Sequence, residues 1–392
     1  MKPIMKLLFT AALLGSSAAP STAAPRNTGS CHRTENVITV IVDGLRWEEV
    51  FRGVDPRFLE PEAKDYFKND FFPFEDFKRA YWRDKIEERR NVLMPFFWST
   101  IANQGQLIGN RDLNSTVALT NHFHISYPGH NEFLSGFADD ARITSNAFKY
   151  NPNVTFLEYM NGKGETKGRV ADFSTWDAYP YILNAPRSRI AVQTPKNPLN
   201  FAPGNQRVEV LHELLQDMGP SLHSDAITFH LAMEYLKLKR PKLLHITFSN
   251  TDRTAHAGSY GDYANAAHSS DSFLRRLWAW VQNDPGYRDK TTLIVAADHG
   301  RGAGSLERWR HHGAPGYRKI EDGEINPTEG DQYSWIAAIG PDTPAAGFRG
   351  DITVSLSQVA NTAVGLLGDK LPSDADGQHP APPIEQLIRP CS

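Results

Sequence analysis

A serine at position 126, aspartates at 43, 252 and 298, and histidines at 256, 299, 311 and 312 are residue types that could do chemistry together in this 392-residue chain. Ser126 stands in "HISYPGHNEFLSG", His124 to Gly136, two residues before a proline. A hydroxyl with nothing to take its proton is a weak nucleophile, so its role depends on what converges on it. "VDGLRW" carries Asp43, "NTDRTAH" carries Asp252 and His256, "ADHG" carries Asp298 and His299, and "ERWRHHGAPG" carries His311 and His312. An aspartate after an apolar run is, by itself, equally a turn former or a helix cap. Taken together, carboxylates and imidazoles in equal mixture are borderline ligands suited to zinc or a similar divalent ion. About six such ligands suffice for two ions, and a metal pair stabilises both the attacking and the leaving oxygen of an in-line displacement. A serine hydroxyl held by such an ion needs no histidine base.

The elements that must position these groups are legible as short apolar, β-branched runs. "NVITVIVDG" (36–44), "KLLHITFSN" (242–250), "TTLIVAADHG" (291–300) and "YSWIAAIGP" (333–341) each run straight into polar residues or glycine. Continuous apolar runs of this length fit strands covered on both faces, and such strands are usually parallel. Between them lie helical patterns, "VEVLHELLQDMG", "SDAITFHLAMEYLKLK" and "ANAAHSSDSFLRRLWAWVQ", the last with Phe273, Leu277 and Val281 at helical spacing. "SLSQVANTAVGLLG" opens on serine and closes on glycine, as a helix does. This alternation predicts an α/β fold: a doubly wound, mostly parallel sheet with helices on both faces. In open sheets of that kind ligands bind beyond the carboxyl ends of the strands, where Asp43, Asp252 and Asp298 fall. "VDGLRW" lacks the glycine-rich fingerprint, which excludes a dinucleotide site of the usual kind. The stretch 53–90 mixes aromatic and charged residues with little periodicity and reads as an insertion over the sheet edge, with lid duty the weaker alternative.

The first residues, "MKPIMKLLFTAALLGSSAAPSTAAP", have the three-part layout of a secretory signal, predicting a signal peptide over 1–23 and a single mature domain over 24–392. The expected location is periplasmic or secreted, and no later segment approaches a membrane span. Losing Lys2 and Lys6 with the leader takes the formal charge from -3 to -5. That mild acidity, with basic clusters no longer than "RDKIEERR" and "KLKRPK", argues against nucleic acid as a primary partner. An oxidising compartment would allow Cys31 and Cys391 to form a disulfide tying the two ends together. "NST" at Asn114 and "NVT" at Asn153 are glycosylation acceptors only in a eukaryotic secretory pathway. Nothing in the sequence sets an oligomeric state.

In chain order, "VDGLRW", "SYPGHNEFLSG", "TDRTAH", "ADHG" and "HHG" resemble the motif set of the alkaline phosphatase superfamily over most of the mature chain. The branch most similar is the type I phosphodiesterase and nucleotide pyrophosphatase group. There a threonine before a phenylalanine-proline-asparagine-histidine run is the nucleophile, and Ser126 before "YPGH" takes its place. The resemblance implies one metal held by Asp43, Asp298, His299 and the oxygen of Ser126. It implies a second held by Asp252, His256 and His312, the histidine directly before glycine, with His311 the runner-up. It also implies that Asn146 in "RITSNAF", aligned by accepting a one-residue gap, hydrogen-bonds a non-bridging phosphate oxygen. The implied activity is two-metal hydrolysis of a small-molecule phosphate ester, mono- or diester, through a phosphoseryl intermediate, with zinc the ion this donor set suits best.

Two departures stand out. Gly129 occupies a position where the family often has asparagine, and serine replaces threonine, as in alkaline phosphatases proper. His122, His124 and His130 crowd the nucleophile without matching a ligand position and read as packing or ligand-supporting residues. Arg46, Arg253 and Arg301 lie near ligands in sequence and read as salt-bridging or surface residues. Within the superfamily a sulfatase would need a cysteine or serine followed by proline at plus two and arginine at plus four, and plus four here is His130. A phosphonate hydrolase shares the branch and stays as an alternative. Phosphoglycerate-type mutases share the metal site but lack a leader. A binding relative with a vestigial site would have lost the nucleophile or some ligands, and all are present.

Overall fold

The computed structural model describes residues 32–218, 224–313, 330–373, 377 and 379–390. The expected leader over 1–23 and both members of the expected Cys31–Cys391 pair lie outside these residues. Among the described residues no helix is long and apolar enough to cross a membrane.

The strands in chain order are β1 (Asn36–Val42), β2 (Gln106–Ile108), β3 (Thr116–Ala118), β4 (Val170–Ser174), β5 (Ala191–Gln193), β6 (Leu243–Phe248), β7 (Thr291–Ala296), β8 (Tyr333–Ser334), β9 (Ile336–Ile339), β10 (Gly347–Phe348) and β11 (Thr353–Ser355). Eight form one sheet in the order β10-β2-β9-β7-β1-β6-β4-β5, and β11-β3-β8 form a small second sheet. From β7 to β5 every neighbouring pair is parallel. The apolar run at 333–341 departs from the parallel expectation. It divides at Trp335: β8 pairs with β3 in the small sheet, and β9 runs antiparallel to both β2 and β7. Its residues are buried on both faces, and two-sided burial yields the same apolar run whichever way a strand points.

All seven residues of β1 are buried, and alternate side chains enter different cores. Ile38, Val40 and Val42 join the core beneath the helices Asp225–Lys239 and Tyr260–Asn283. Val37 and Ile41 join the opposite one, with Phe133, Leu157, Tyr179 and Val364 from helices on that face. Burying each such aliphatic side chain contributes roughly 1.5–3 kcal/mol, which is why these runs settle at the centre of the sheet. Helix Tyr260–Asn283 turns Leu274, Leu277, Trp278 and Val281 inward, while Phe273 flanks that stripe and stacks on Phe229 with ring centroids 4.8 Å apart.

The stretch 53–90 contains short helical turns over Pro56–Leu59 and Pro61–Phe67 and helices over Phe74–Tyr81 and Ile86–Leu93. Its Phe58, Phe67 and Phe77 rings gather about Tyr260, Phe58 lying face to face with it at 3.5 Å. Trp309 meets both Phe58 and Tyr260 edge-on at 5.1 Å, so this aromatic cluster supports the turn that leads to His311 and His312.

Asp271 fastens the same helix to the next segment by accepting the N–H groups of Phe96 and Phe97 at 2.8 and 2.9 Å. Burial pushes its carboxyl up to about 7 despite those donors. The native state therefore holds a proton that the unfolded chain, at about 3.9, releases earlier. The associated stability is fully present below the unfolded value and lost as pH rises through about 7. Asp271→Asn is expected to gain stability relative to the parent protein between pH 5 and pH 8, read from urea unfolding at the two pH values. A difference independent of pH would contradict this.

Candidate metal centre

Register brings the candidate residues together. Ile41 on β1 pairs with Thr247 on β6 and with Ala296 on β7, so the three strands end level. Asp43 and Asp298 each lie two residues beyond that line, and helix Asn250–His256 starts beside them. That helix carries Asp252 and His256 four residues apart, hence on one face. Gly44 makes the crowding sterically feasible. Its φ is +61°, and a β-carbon there would sit 2.8 Å from Arg301 Nη1 and 2.9 Å from Asp252 Oδ1. Its N–H donates to Asp298 Oδ1 at 3.0 Å, and Thr251 Oγ1 donates to the Asp43 carbonyl at 2.5 Å.

Ser126 is the first residue of a ten-residue helix, Ser126–Ser135, every member of which is buried. Pro128 in the first turn costs no helical hydrogen bond, and Gly136 closes the helix in the left-handed region at φ +86°. Ile125, not Ser126, holds the capping position, and no side chain caps the helix. The Ser126 hydroxyl instead lies 3.4 Å from His299 Nε2. The preceding loop is fixed from two sides. Buried Glu132 accepts the N–H groups of Thr120 and Asn121, and Asn121 Oδ1 accepts those of Phe123 and His124.

Around Ser126 two groups form. In the first, His299 Nε2 is 3.4 Å from both Asp43 Oδ1 and Asp298 Oδ2. His130 Nε2 approaches the same carboxylates, 3.5 Å from Asp298 Oδ2 and 3.9 Å from Asp43 Oδ2. In the second, His256 Nε2 lies 3.0 Å from His312 Nε2, with Asp252 3.3 Å from His256 and 3.5 Å from His312. Asp43, Asp252 and His299 join the two, their ligand atoms all within 4.8 Å of one another. His311 is turned away, its Nε2 3.3 Å from Glu307 Oε1.

Electrostatics mark the first group as short of positive charge. Burial, then the neighbouring Asp43 charge, holds the Asp298 carboxyl above the usual range. Burial opposes charge on His299, but Asp298 and Asp43 outweigh it and raise its value. Asp43 itself ends lowered, His130 and His299 prevailing over burial and Asp252. Against burial, His256 and Arg301 hold Asp252 far below the carboxylate range. Burial, then His299, pushes His312 well below its ordinary value, leaving the neutral imidazole that binds metals. Its Nδ1 hydrogen-bonds the His124 carbonyl at 3.0 Å, so Nε2 presents a bare lone pair towards His256. Among the described residues Asp43 Oδ1, Asp298 Oδ2 and His130 Nε2 are buried with no hydrogen-bond partner. Buried lone pairs of both ligand types, converging without partners, fit a divalent cation.

Asn146 lies next to the helix that starts at Ser126, its Oδ1 accepting the Tyr127 N–H at 2.8 Å. Arg301 is buried, pairs with Asp252, and donates to the Trp309 and Arg310 carbonyls at 2.7 and 2.5 Å. Arg46 pairs with Glu49 inside the fold, and Arg253 is exposed beside Asn250. His122 is exposed and pairs with Asp140, whereas His124 has φ +48° and its Nδ1 lies 2.8 Å from Asp331 Oδ1. Sequence reasoning placed His130 beside Ser126 as a packing or ligand-supporting residue, outside the ligand set, and did not mark Asp331. The signal for His130 was its spacing of four from Ser126, which puts both on one helical face. No local pattern marks Asp331.

A mostly parallel sheet with two-sided helical cover and a carboxylate–imidazole cluster past its strand ends makes an alkaline phosphatase-like fold. A phosphonate monoester hydrolase from Silicibacter pomeroyi superposes on it with TM-score 0.52 at 11% identity, covering 91% of this chain and 76% of that one. A lipoteichoic acid synthase from Listeria monocytogenes superposes with TM-score 0.51 at 14% identity, covering 87% and 74%. Residues 59–313 match the family model of type I phosphodiesterase / nucleotide pyrophosphatase, and the chain belongs to that family. A 2,3-bisphosphoglycerate-independent phosphoglycerate mutase from Haloquadratum walsbyi is 27% identical over 146 residues, 37% of this chain and 26% of that protein. The chain thus spans about a quarter of the length of that curated relative.

The Gly129 departure has a steric reason: a β-carbon there would drive into the Asp298 carbonyl, where Gly162 meets nothing nearer than 3.5 Å. Gly129→Ala is expected to cost about 1–3 kcal/mol of stability as overpacking, and Gly162→Ala to leave stability nearly unchanged. Equal denaturation midpoints for the two variants would refute the close approach.

Proposed function

We propose that the protein is an exported hydrolase of small-molecule phosphate esters, a phosphatase or phosphodiesterase, that works through a phosphoseryl intermediate on Ser126 with two divalent ions, zinc suiting the donors best. The observation that carries this reading is the Ser126 hydroxyl at the head of a buried helix, 3.4 Å from His299 Nε2 and beside buried carboxylate and imidazole atoms that lack partners. Asp43, Asp298, His299 and Ser126 would hold one ion, and Asp252, His256 and His312 the other. When bound, the ions neutralise phosphate charge and favour the alkoxide form of a serine hydroxyl.

The chain's own groups supply the rest. Ser126 Oγ gives up its proton and attacks phosphorus in line, the bond from phosphorus to the leaving ester oxygen breaks, and that oxygen departs with the electron pair and takes up a proton in place of the one the serine released. The helix beginning at Ser126 directs its positive end at the transferring group. With the Asn146 carbonyl accepting from Tyr127, its NH₂ donates to a non-bridging oxygen as charge builds there. Water then cleaves the phosphoseryl bond and regenerates Ser126.

Ser126→Ala is expected to lower turnover of para-nitrophenyl phosphate and its bis-ester by roughly three orders of magnitude or more while bound zinc, measured by metal analysis, is retained. Full activity in that variant would remove Ser126 as nucleophile. A second outcome follows from the raised His299 and Asp298 groups, which hold protons near neutral pH that an entering cation must displace. Zinc added to chelator-stripped protein at pH 7 is expected to release protons, and its affinity to weaken as pH falls from 8 to 6. Binding without proton release would contradict this.

A further inference from the structure

His130 stands outside the ligand set just assigned, yet its surroundings differ from those of a packed core histidine. The ring is fully buried. Its Nδ1 lies 2.9 Å from the Tyr179 hydroxyl. That hydroxyl also accepts from Thr247 Oγ1 and lies 3.0 Å from His245 Nε2, while His245 Nδ1 lies 2.8 Å from Thr39 Oγ1. Thr39 and His245 are register partners on β1 and β6, so this polar chain is built into the centre of the sheet. One end of His130 is therefore held firmly. The other, Nε2, has no hydrogen-bond partner among the described residues and faces Asp298 Oδ2, which also lacks one, and Asp43 Oδ2.

Two accounts of Nε2 compete. As a simple donor to Asp298 it should lie about 2.7–3.2 Å away. The observed 3.5 Å to Asp298 and 3.9 Å to Asp43 are longer. Donors about 2.0–2.1 Å from one tetrahedral zinc stand roughly 3.3 Å from each other. The 3.4 Å separations of His299 Nε2 from both carboxylates and the 3.5 Å of His130 Nε2 from Asp298 match that spacing.

We propose that His130 is a further, fifth protein ligand of the ion assigned to Asp43, Asp298, His299 and Ser126, with Tyr179 its positioning residue. The proposal rests on the two-metal reading above. Proton accounting along the chain is complete. With Nε2 on the ion, His130 Nδ1–H donates to Tyr179 oxygen, Tyr179 O–H donates to His245 Nε2, and His245 Nδ1–H donates to Thr39 Oγ1. Burial, then His130, holds His245 far below its ordinary value, so it is the neutral, single-proton imidazole this accounting needs. The arrangement has the form of a ligating histidine oriented through its second nitrogen.

The test is NMR of the full-length protein carrying isotopically labelled histidine nitrogens and loaded with the spin-active isotope of cadmium. Metal–nitrogen coupling is expected on Nε2 of His130 as well as His256, His299 and His312, with the His130 signal assigned by its loss in His130→Gln. Coupling confined to His256, His299 and His312 overturns the proposal and leaves the two-metal reading standing. Coupling on none of them removes that reading, and this proposal with it. Should His130→Gln not fold, Tyr179→Phe supplies the assignment, since it keeps the ring and alters only the group facing His130 Nδ1. Tyr179→Phe is also expected to shift the His130 nitrogen signals and to weaken cadmium affinity by roughly 10–100-fold. Unchanged His130 signals and affinity, with only a lower melting temperature, would reduce Tyr179 to a packing role and overturn the positioning assignment.

Discussion

Two carboxylates sealed into the end of a parallel sheet set the terms for the rest of this molecule. Asp43 and Asp298 follow neighbouring, level strands, and both are almost fully buried. Removing such charges from water costs several kcal/mol each unless cations or donors meet them. The protein's own donors meet the demand only in part. Gly44 N–H serves one oxygen of Asp298, and His299 stands near both groups, yet one oxygen of each carboxylate remains without a partner. The fold thus buries two carboxylates whose charge it balances only by holding protons on Asp298 and His299, the condition under which a bound cation would take the place of those protons.

The available arginine answers a different demand. Arg301 is buried at the edge of the cluster, but its guanidinium is committed to Asp252 and to two carbonyls of the turn ending in Arg310. That arrangement fixes the turn leading to His312 relative to the helix bearing Asp252 and His256. Against burial, His256 and then Arg301 hold the Asp252 carboxyl well below the usual carboxylate range. Phe58, Tyr260 and Trp309 back the same turn from the other side. The aromatic stretch with no readable periodicity therefore holds one histidine's loop in place from a distance.

How much of the molecule is legible in its sequence follows from what burial records. β1, β6 and β7 stand out because strands covered on both faces are apolar throughout, and their terminal polar residues can then be read as facing a ligand. Direction leaves no such trace, so the sequence of β9 suggests a parallel strand where the fold has an antiparallel one. The short strands β2, β5 and β10 carry too few residues for any period to emerge. Among the histidines, those adjacent to strand ends are legible from position. His130 is legible as a neighbour of Ser126, but its partners are not, because the network holding it is assembled from residues 39, 179, 245 and 247, far apart in sequence and meeting only across the sheet.

The loop ahead of Ser126 shows how the two carboxylate–imidazole groups are tied to one another. His124 adopts a left-handed backbone conformation, which costs a non-glycine residue roughly 1–2 kcal/mol. That conformation aims its carbonyl at His312 Nδ1 while its own ring pairs with Asp331, whose second oxygen accepts the Gly313 N–H. The segment ending in Ser126 and the segment bearing His312 are thus latched through both main chain and side chain. Any shift of the loop that displaced Ser126 would also turn the imidazole of His312, so the hydroxyl of one group and a histidine of the other keep a fixed relation. In the proposed displacement that relation would set the in-line distance, and a strained histidine two residues before Ser126 is where the fold would enforce it.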